Sequence, residues 1–160
     1  MPILQQPNGD DPGTHAAVAS ALVADVVDPL AALFRMGMPV DGLPCRGTHR
    51  VYDGREVFDL RLSFRKKVSF DSKSSGTYRG IAFECDVTWL PIAGRSVTKG
   101  EATSGRYTVW FAPALSEVPG GSLLVPIQAT GNLNGVQFEA YATKATIDDQ
   151  RLGMPAAGSE

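Results

Sequence analysis

The chain has 160 residues, 43% apolar and 20% charged, which is enough for one domain with a real core and too apolar for a wholly disordered protein. Fifteen lysines and arginines against seventeen aspartates and glutamates give a net charge of −2, so no positive field exists to attract nucleic acid or an anionic membrane. No stretch approaches the ~20 consecutive apolar residues of a bilayer-crossing helix, so no transmembrane segment is expected.

Residues 1–13 hold Pro2, Pro7 and Pro12 among Asn8, Gly9, Asp10 and Asp11 and read as a disordered lead. They lack the cationic start and apolar run of a secretory signal. From Thr14 to Val27 the alanine-rich sequence places Val18, Leu22 and Val26 at helical spacing, with Thr14 as its cap. Asp28-Pro29 is a second helix start, a capping residue followed by proline at the first helical position. Leu30, Leu33 and Phe34 are its expected apolar face, and Gly37 and Pro39 its stop. The helical segment 14–37 is therefore expected to be a short pair meeting at an angle.

After Pro44 the period changes to two. Phe58, Leu60, Leu62 and Phe64 alternate with Asp59, Arg61, Ser63 and Arg65, which predicts a strand with one dry face. Thr48–Tyr52 precedes it across Asp53-Gly54, a hairpin-turn dipeptide. Beyond the polar turn Asp71–Gly76, Ile81, Phe83, Cys85, Val87 and Trp89 line one face of a third strand, which Pro91 and Gly94 should end. Further strands are expected at Tyr107–Phe111, Leu123–Thr130 and Val136–Ile147, the last hairpin turning at Asn134-Gly135.

The fold class is thus mainly β, a six-stranded antiparallel meander in one domain spanning 14–148, with its sheet over 45–148 and a disordered tail at 149–160. Long twisted strands predict a sheet curved into a half-barrel. Its concave side would carry Phe58, Leu60, Leu62, Phe64, Phe83, Val87 and Trp89, covered by the helical pair. The aromatic residues Phe64, Phe83, Trp89, Trp110 and Phe111 read either as core or as the wall of a lipophilic pocket. Phe58, Leu60, Leu62, Phe64, Phe83, Trp89 and Trp110 are accordingly the candidate ligand-binding residues.

Chemistry-bearing patterns are sparse. Asp53, Arg55, Asp59 and Arg61 could suggest paired carboxylates, but on the polar face of a hairpin they are expected to make turn hydrogen bonds and cross-strand ion pairs. His15 and His49 are far apart and no His-x-x-x-His or Cys-x-x-Cys spacing occurs, so neither a metal nor another cofactor is expected. No Gly-x-Ser-x-Gly elbow supports a nucleophile, and Gly76, Gly80, Gly94, Gly100, Gly105, Gly120 and Gly121 read as turn residues rather than a phosphate cradle. No catalytic residue is assigned and the chain is not expected to be an enzyme. Arg65-Lys66-Lys67 reads as a solvated strand edge. With both flanking turns centred, Cys45 and Cys85 would lie opposite Leu62 on either side of one strand. Two strand spacings of about 4.8 Å then put them beyond disulfide reach unless the chain at Pro44-Cys45 leaves the sheet.

One set of residues resembles a known pattern. Val26-Val27-Asp28-Pro29-Leu30-Ala31-Ala32-Leu33, Cys45, Val51-Tyr52-Asp53-Gly54-Arg55, Phe58-Asp59-Leu60, Tyr78-Arg79-Gly80, Cys85-Asp86-Val87, Pro91-Ile92-Ala93-Gly94, Val109-Trp110-Phe111-Ala112-Pro113 and Ala140-Tyr141-Ala142-Thr143 resemble the bacterial family called domain of unknown function 3108, over about Asp25 to Thr143. The resemblance implies an exported cell-envelope protein of the periplasm and corresponds to the C-terminal half of the family pattern. The N-terminal β half and the export signal of that pattern have no counterpart here, which would leave an open sheet edge and a route to a homodimer. An oxidising compartment favours a Cys45–Cys85 disulfide over buried free thiols. The expected role is a non-enzymatic envelope protein whose concave face binds an apolar ligand such as a lipid acyl chain. The alternative is a structural or protein-interaction module of the envelope, with a filled core and an exposed edge at Thr48–Tyr52 or Val136–Ile147 that recruits an envelope protein.

Overall fold

The computed structural model describes residues 12–22, 25–71, 78–118, 121–133, 135–143, 146–147 and 150–151. Its elements in chain order are α1 (Pro12–Ala21), α2 (Pro29–Met36), β1 (Gly47–Tyr52), β2 (Val57–Phe70), β3 (Gly80–Ala93), α3 (Arg95–Thr98), β4 (Gly105–Val118), β5 (Gly121–Leu133), β6 (Val136–Tyr141), β7 (Thr146–Ile147) and β8 (Gln150–Arg151). β1 to β6 form one antiparallel sheet in sequence order, the expected six-stranded meander, and β7 pairs with β8 separately. The expected half-barrel does not form, because the sheet stays open and uncurled.

The strands outrun their expected limits because prolines do not end them. Pro91 pairs opposite Phe58 beside a register shift at Val57/Phe58, and Pro126 lies opposite Phe111 beside a shift at Trp110/Phe111. An extra residue at such a bulge spares the ladder the missing proline N–H. The bulge at Arg65 has a larger effect. Leu60, Leu62 and Phe64 face Trp89, Val87 and Cys85, whereas beyond it Lys66 and Val68 face Glu84 and Ala82. One inserted residue inverts the pleat, so Val68 and Phe70 point to the opposite side from Leu60 and Leu62 although all are even-numbered.

Apolar clusters consequently occupy both faces. On one, Leu62, Cys85, Val87, Phe111 and Leu124 are buried with Met36 and Cys45, and Leu60, Phe83, Tyr107 and Val109 pack around them. On the other, Ala82, Ala112 and Ile127 are buried beneath Val68, Phe70, Tyr78 and Trp110. Glu84 sits on this second side with its side chain 8% exposed, held by Arg65 at 2.9 Å and Lys66 at 3.5 Å. Arg65 and Lys66 therefore lie, as expected, on an edge: β1 pairs β2 only from Val57 to Leu62. The ion pairs to Glu84 were not legible in the run itself.

The helices do not pair. α1 packs on β3 and α3, while α2 packs on β1. Thr14 is no cap: the helix begins at Pro12, inside the supposed lead, and buried Thr14 donates its hydroxyl to Thr98 Oγ1 at 3.2 Å. The Asp28-Pro29 start is as expected, with Asp28 Oδ1 accepting from Leu30 N and Ala31 N, both at 2.9 Å. The buried side of α2 is Ala32 and Met36, an i,i+4 pair, and Leu30, Leu33 and Phe34 are exposed instead. Gly37 then lies against β5, where its carbonyl accepts from Leu124 N at 2.8 Å and a Cβ would stand 2.0 Å from Leu124 O. Val27 is not helical either; it bridges Val51 in parallel, donating to Arg50 O and accepting from Tyr52 N, and so covers the outer edge of β1. The expected strand Val136–Ile147 ends at Tyr141, and the tail keeps a strand at Gln150–Arg151; the remainder of the proposed lead and tail lies outside the described residues.

Candidate functional site

Cys45 and Cys85 stand within disulfide distance, with Cα atoms 5.9 Å apart and both residues fully buried. The centred register is wrong by two residues. Leu62 faces Gly47 and Val87, and Cys85 faces Phe64. β1 stops at Gly47, and Cys45 takes a left-handed φ of 56° that lifts the chain off the sheet and over Cys85. The condition that the chain leave the sheet at Pro44-Cys45 is therefore met.

The candidate ligand residues are dispersed rather than gathered round one pocket. Leu62 is core, Leu60 and Phe83 pack around that core, and Phe64 is 46% exposed against the Phe83 ring. Phe58 and Trp89 are half-buried, with rings 5.6 Å apart. Trp110 lies on the opposite face, across from Glu84, so the expectation that it shares a wall with the others is corrected. The cause is strand parity: Phe111, not Trp110, is in phase with Phe83.

Trp89 does line a cavity, at the end of the sheet where α3 and the segment after it fold back. This cavity, about 490 Å3, is bounded by Trp89, Tyr107, Ser96, Glu101, Thr103 and Asn132. A second, of about 370 Å3, shares Ser96 and Glu101 and is otherwise lined by Asp53, Arg55, Glu56 and Arg95. Trp89 faces Gly105 across the β3–β4 ladder, and Tyr107 faces Gly131 across β4–β5. Both glycines serve by absence of bulk. A Cβ at Gly105 would come within 2.8 Å of the Tyr107 hydroxyl, and one at Gly131 within 2.3 Å of Tyr107 Cδ1. The ring therefore lies across the two glycine positions, with the Phe138 ring 5.8 Å away.

The cavity rim is braced by a chain of hydrogen bonds. Ser96 N donates to Glu56 Oε1 at 3.0 Å, and its hydroxyl donates to the other carboxylate oxygen. Ser96 O in turn accepts from Glu101 N at 2.9 Å and Ala102 N at 3.1 Å. Asn132 Oδ1 accepts from Gly135 N at 2.8 Å, which leaves its NH2 as donor. α3 was missed in the sequence reading because four residues carry too little periodicity to register.

The charged hairpin behaves as the residue types implied. Asp53 Oδ1 accepts from Arg55 N and Glu56 N, and Asp59 pairs with its cross-strand neighbour Arg50 at 2.8 and 3.1 Å. His49 is partly buried beneath α2, its Nε2 without a hydrogen-bond partner; burial first, and then nearby Arg35, push its pKa below the usual histidine value. No helix among the described residues is long and apolar enough to cross a membrane. No protein-family model, curated protein or solved structure matches this chain.

Proposed function

We propose that the chain is a non-enzymatic module of the bacterial cell envelope, with a filled core, that works through its surface. The observation that carries this reading is the Cys45–Cys85 pair at the centre of the main cluster. Such a crosslink persists in an oxidising compartment and is rare where thiols are kept reduced. The relationship to domain of unknown function 3108 belongs to the same proposal and rests on the residues quoted for it alone.

Packing favours this form over an acyl-chain carrier. Of the candidate ligand residues, Leu62 is buried in one cluster with Met36 and the two cysteines, and Leu60 and Phe83 pack against that cluster instead of lining a space for a lipid tail. One surface available for a partner is the edge strand β6, which has β5 as its single strand neighbour among the described residues and exposes Val136 by 67%.

Organic extraction of the purified chain followed by mass spectrometry tests the filled core. The expected result is no stoichiometric lipid; one lipid per chain would overturn this reading and restore the acyl-carrier alternative. Sizing over a range of concentrations tests the edge, which should give concentration-dependent dimers that a charged substitution, Val136→Lys, abolishes.

A further inference from the structure

We propose that the cavity beneath α3 is a saccharide-binding site, with Trp89 and Tyr107 as its stacking floor and Glu101, Thr103 and Asn132 as its hydrogen-bonding rim. This goes beyond the envelope reading and is tested without it, on the purified chain.

The argument starts from the floor. Trp89 and Tyr107 lie on one sheet face and line the same cavity, and Tyr107 is held down by two glycines whose missing Cβ atoms make the space. A ring lying along a sheet offers its electron-rich π face instead of its edge, and that face attracts polarised C–H groups. One side of a pyranose ring presents such C–H groups, and the hydroxyls project around its rim. The rim of the cavity matches them with hydroxyls, an amide and one carboxylate.

Charge and volume narrow the class further. Among the described residues lining this cavity none is cationic, which disfavours phosphate and other anions; the arginines Arg55 and Arg95 line the neighbouring cavity. An acyl chain would cover the Glu101 carboxylate, the Thr103 hydroxyl and the Asn132 NH2 without offering them hydrogen bonds, a cost that a polyol avoids. The volume of about 490 Å3 falls within the roughly 300–1,000 Å3 of small-ligand sites. The bonds from Glu56 through Ser96 to Glu101 and Ala102 fix the rim before any ligand arrives, which reduces the ordering cost of binding.

The test uses fluorescence. In a Trp110→Phe background the remaining tryptophan is Trp89, and it is titrated with cellotetraose, maltotetraose and chitotetraose, with tetramethylammonium as a cation probe. At least one oligosaccharide should give a saturable change at micromolar to millimolar concentration. Glu101→Gln and Asn132→Ala, at exposed positions, should each weaken it by roughly tenfold, the loss expected for one hydrogen bond at a binding rim. Tyr107→Phe keeps the stacking ring and should bind within about threefold of the parent. Sedimentation with purified peptidoglycan sacculi separates the two sources of this chemistry: retention lost in the rim variants identifies an envelope polymer, and retention absent while tetramers bind identifies a soluble sugar. Absence of any saccharide response at about 10 mM, response to tetramethylammonium alone, or affinity unchanged in both rim variants would overturn the proposal.

Discussion

Reduction of the Cys45–Cys85 pair is the perturbation whose size follows most directly from the chain. The two residues are separated by 40 positions, so the crosslink closes a loop of that length in the unfolded state. Loop-closure entropy for such a loop is roughly 13 cal/mol/K, or about 4 kcal/mol at room temperature. For a domain of this size each kcal/mol shifts the melting temperature by about 2–4 °C, so the reduced protein should melt about 8–16 °C lower. Because both cysteines are fully buried, reduction has to be carried out in denaturant, followed by refolding with reductant present. The reduced wild type is the right comparison. It keeps both sulfurs in the core, whereas a cysteine-to-alanine variant would add cavity costs to the crosslink term. Scanning calorimetry of the two forms gives the difference, and a thiol assay in concentrated guanidinium on never-reduced protein should find no reactive thiol. A melting difference under about 2 °C, or two thiols titrating in untreated protein, would refute the reasoning.

Three further outcomes are expected. Gly37→Ala needs no unusual backbone angle at φ −79°, yet its Cβ would meet the Leu124 carbonyl, so urea denaturation should show a loss of about 1–3 kcal/mol and limited proteolysis should cut first between α2 and β1. Asp28→Ala removes the cap of α2 and should lower stability by about 1 kcal/mol in the same assay, with Asp28→Asn close to wild type. Burial lowers the His49 pKa in the folded chain, so its contribution is intact above its unfolded pKa of 6.5 and is lost as pH falls from there through the lower folded value, since protons then bind the unfolded chain preferentially. Urea midpoints from neutral to mildly acidic pH should therefore fall more steeply in wild type than in His49→Gln; parallel curves would show that burial of this imidazole is not felt.

Much of the scaffold was legible because it is written in short stretches. Phe58 to Phe64 and Ile81 to Trp89 carry their period within a handful of residues, and Asp28-Pro29 and Asp53-Gly54 mark a helix start and a hairpin by local hydrogen bonding and backbone geometry alone. The candidate site was legible only in part. Trp89 could be placed on the correct face from its own strand, but nothing local says that Ser96 on α3, Glu101 in the segment after it and Asn132 at the end of β5 converge on it, because they belong to different elements.

Side-chain spacing and turn chemistry within single segments were enough to give most of the strands and their order, and the alternation of β2 as far as Phe64. Tertiary structure decided the rest. A single extra residue at Arg65 sends Val68 and Phe70 to the other side, and strand phase assigns Phe111 rather than Trp110 to the main cluster. The lift of the chain at Cys45 makes the disulfide reachable, and two glycines on separate strands let Tyr107 lie down in the cavity that Trp89 also lines. Each depends on register between segments distant in the chain, and register is set by the sum of packing over whole strands, not by any residue read in isolation.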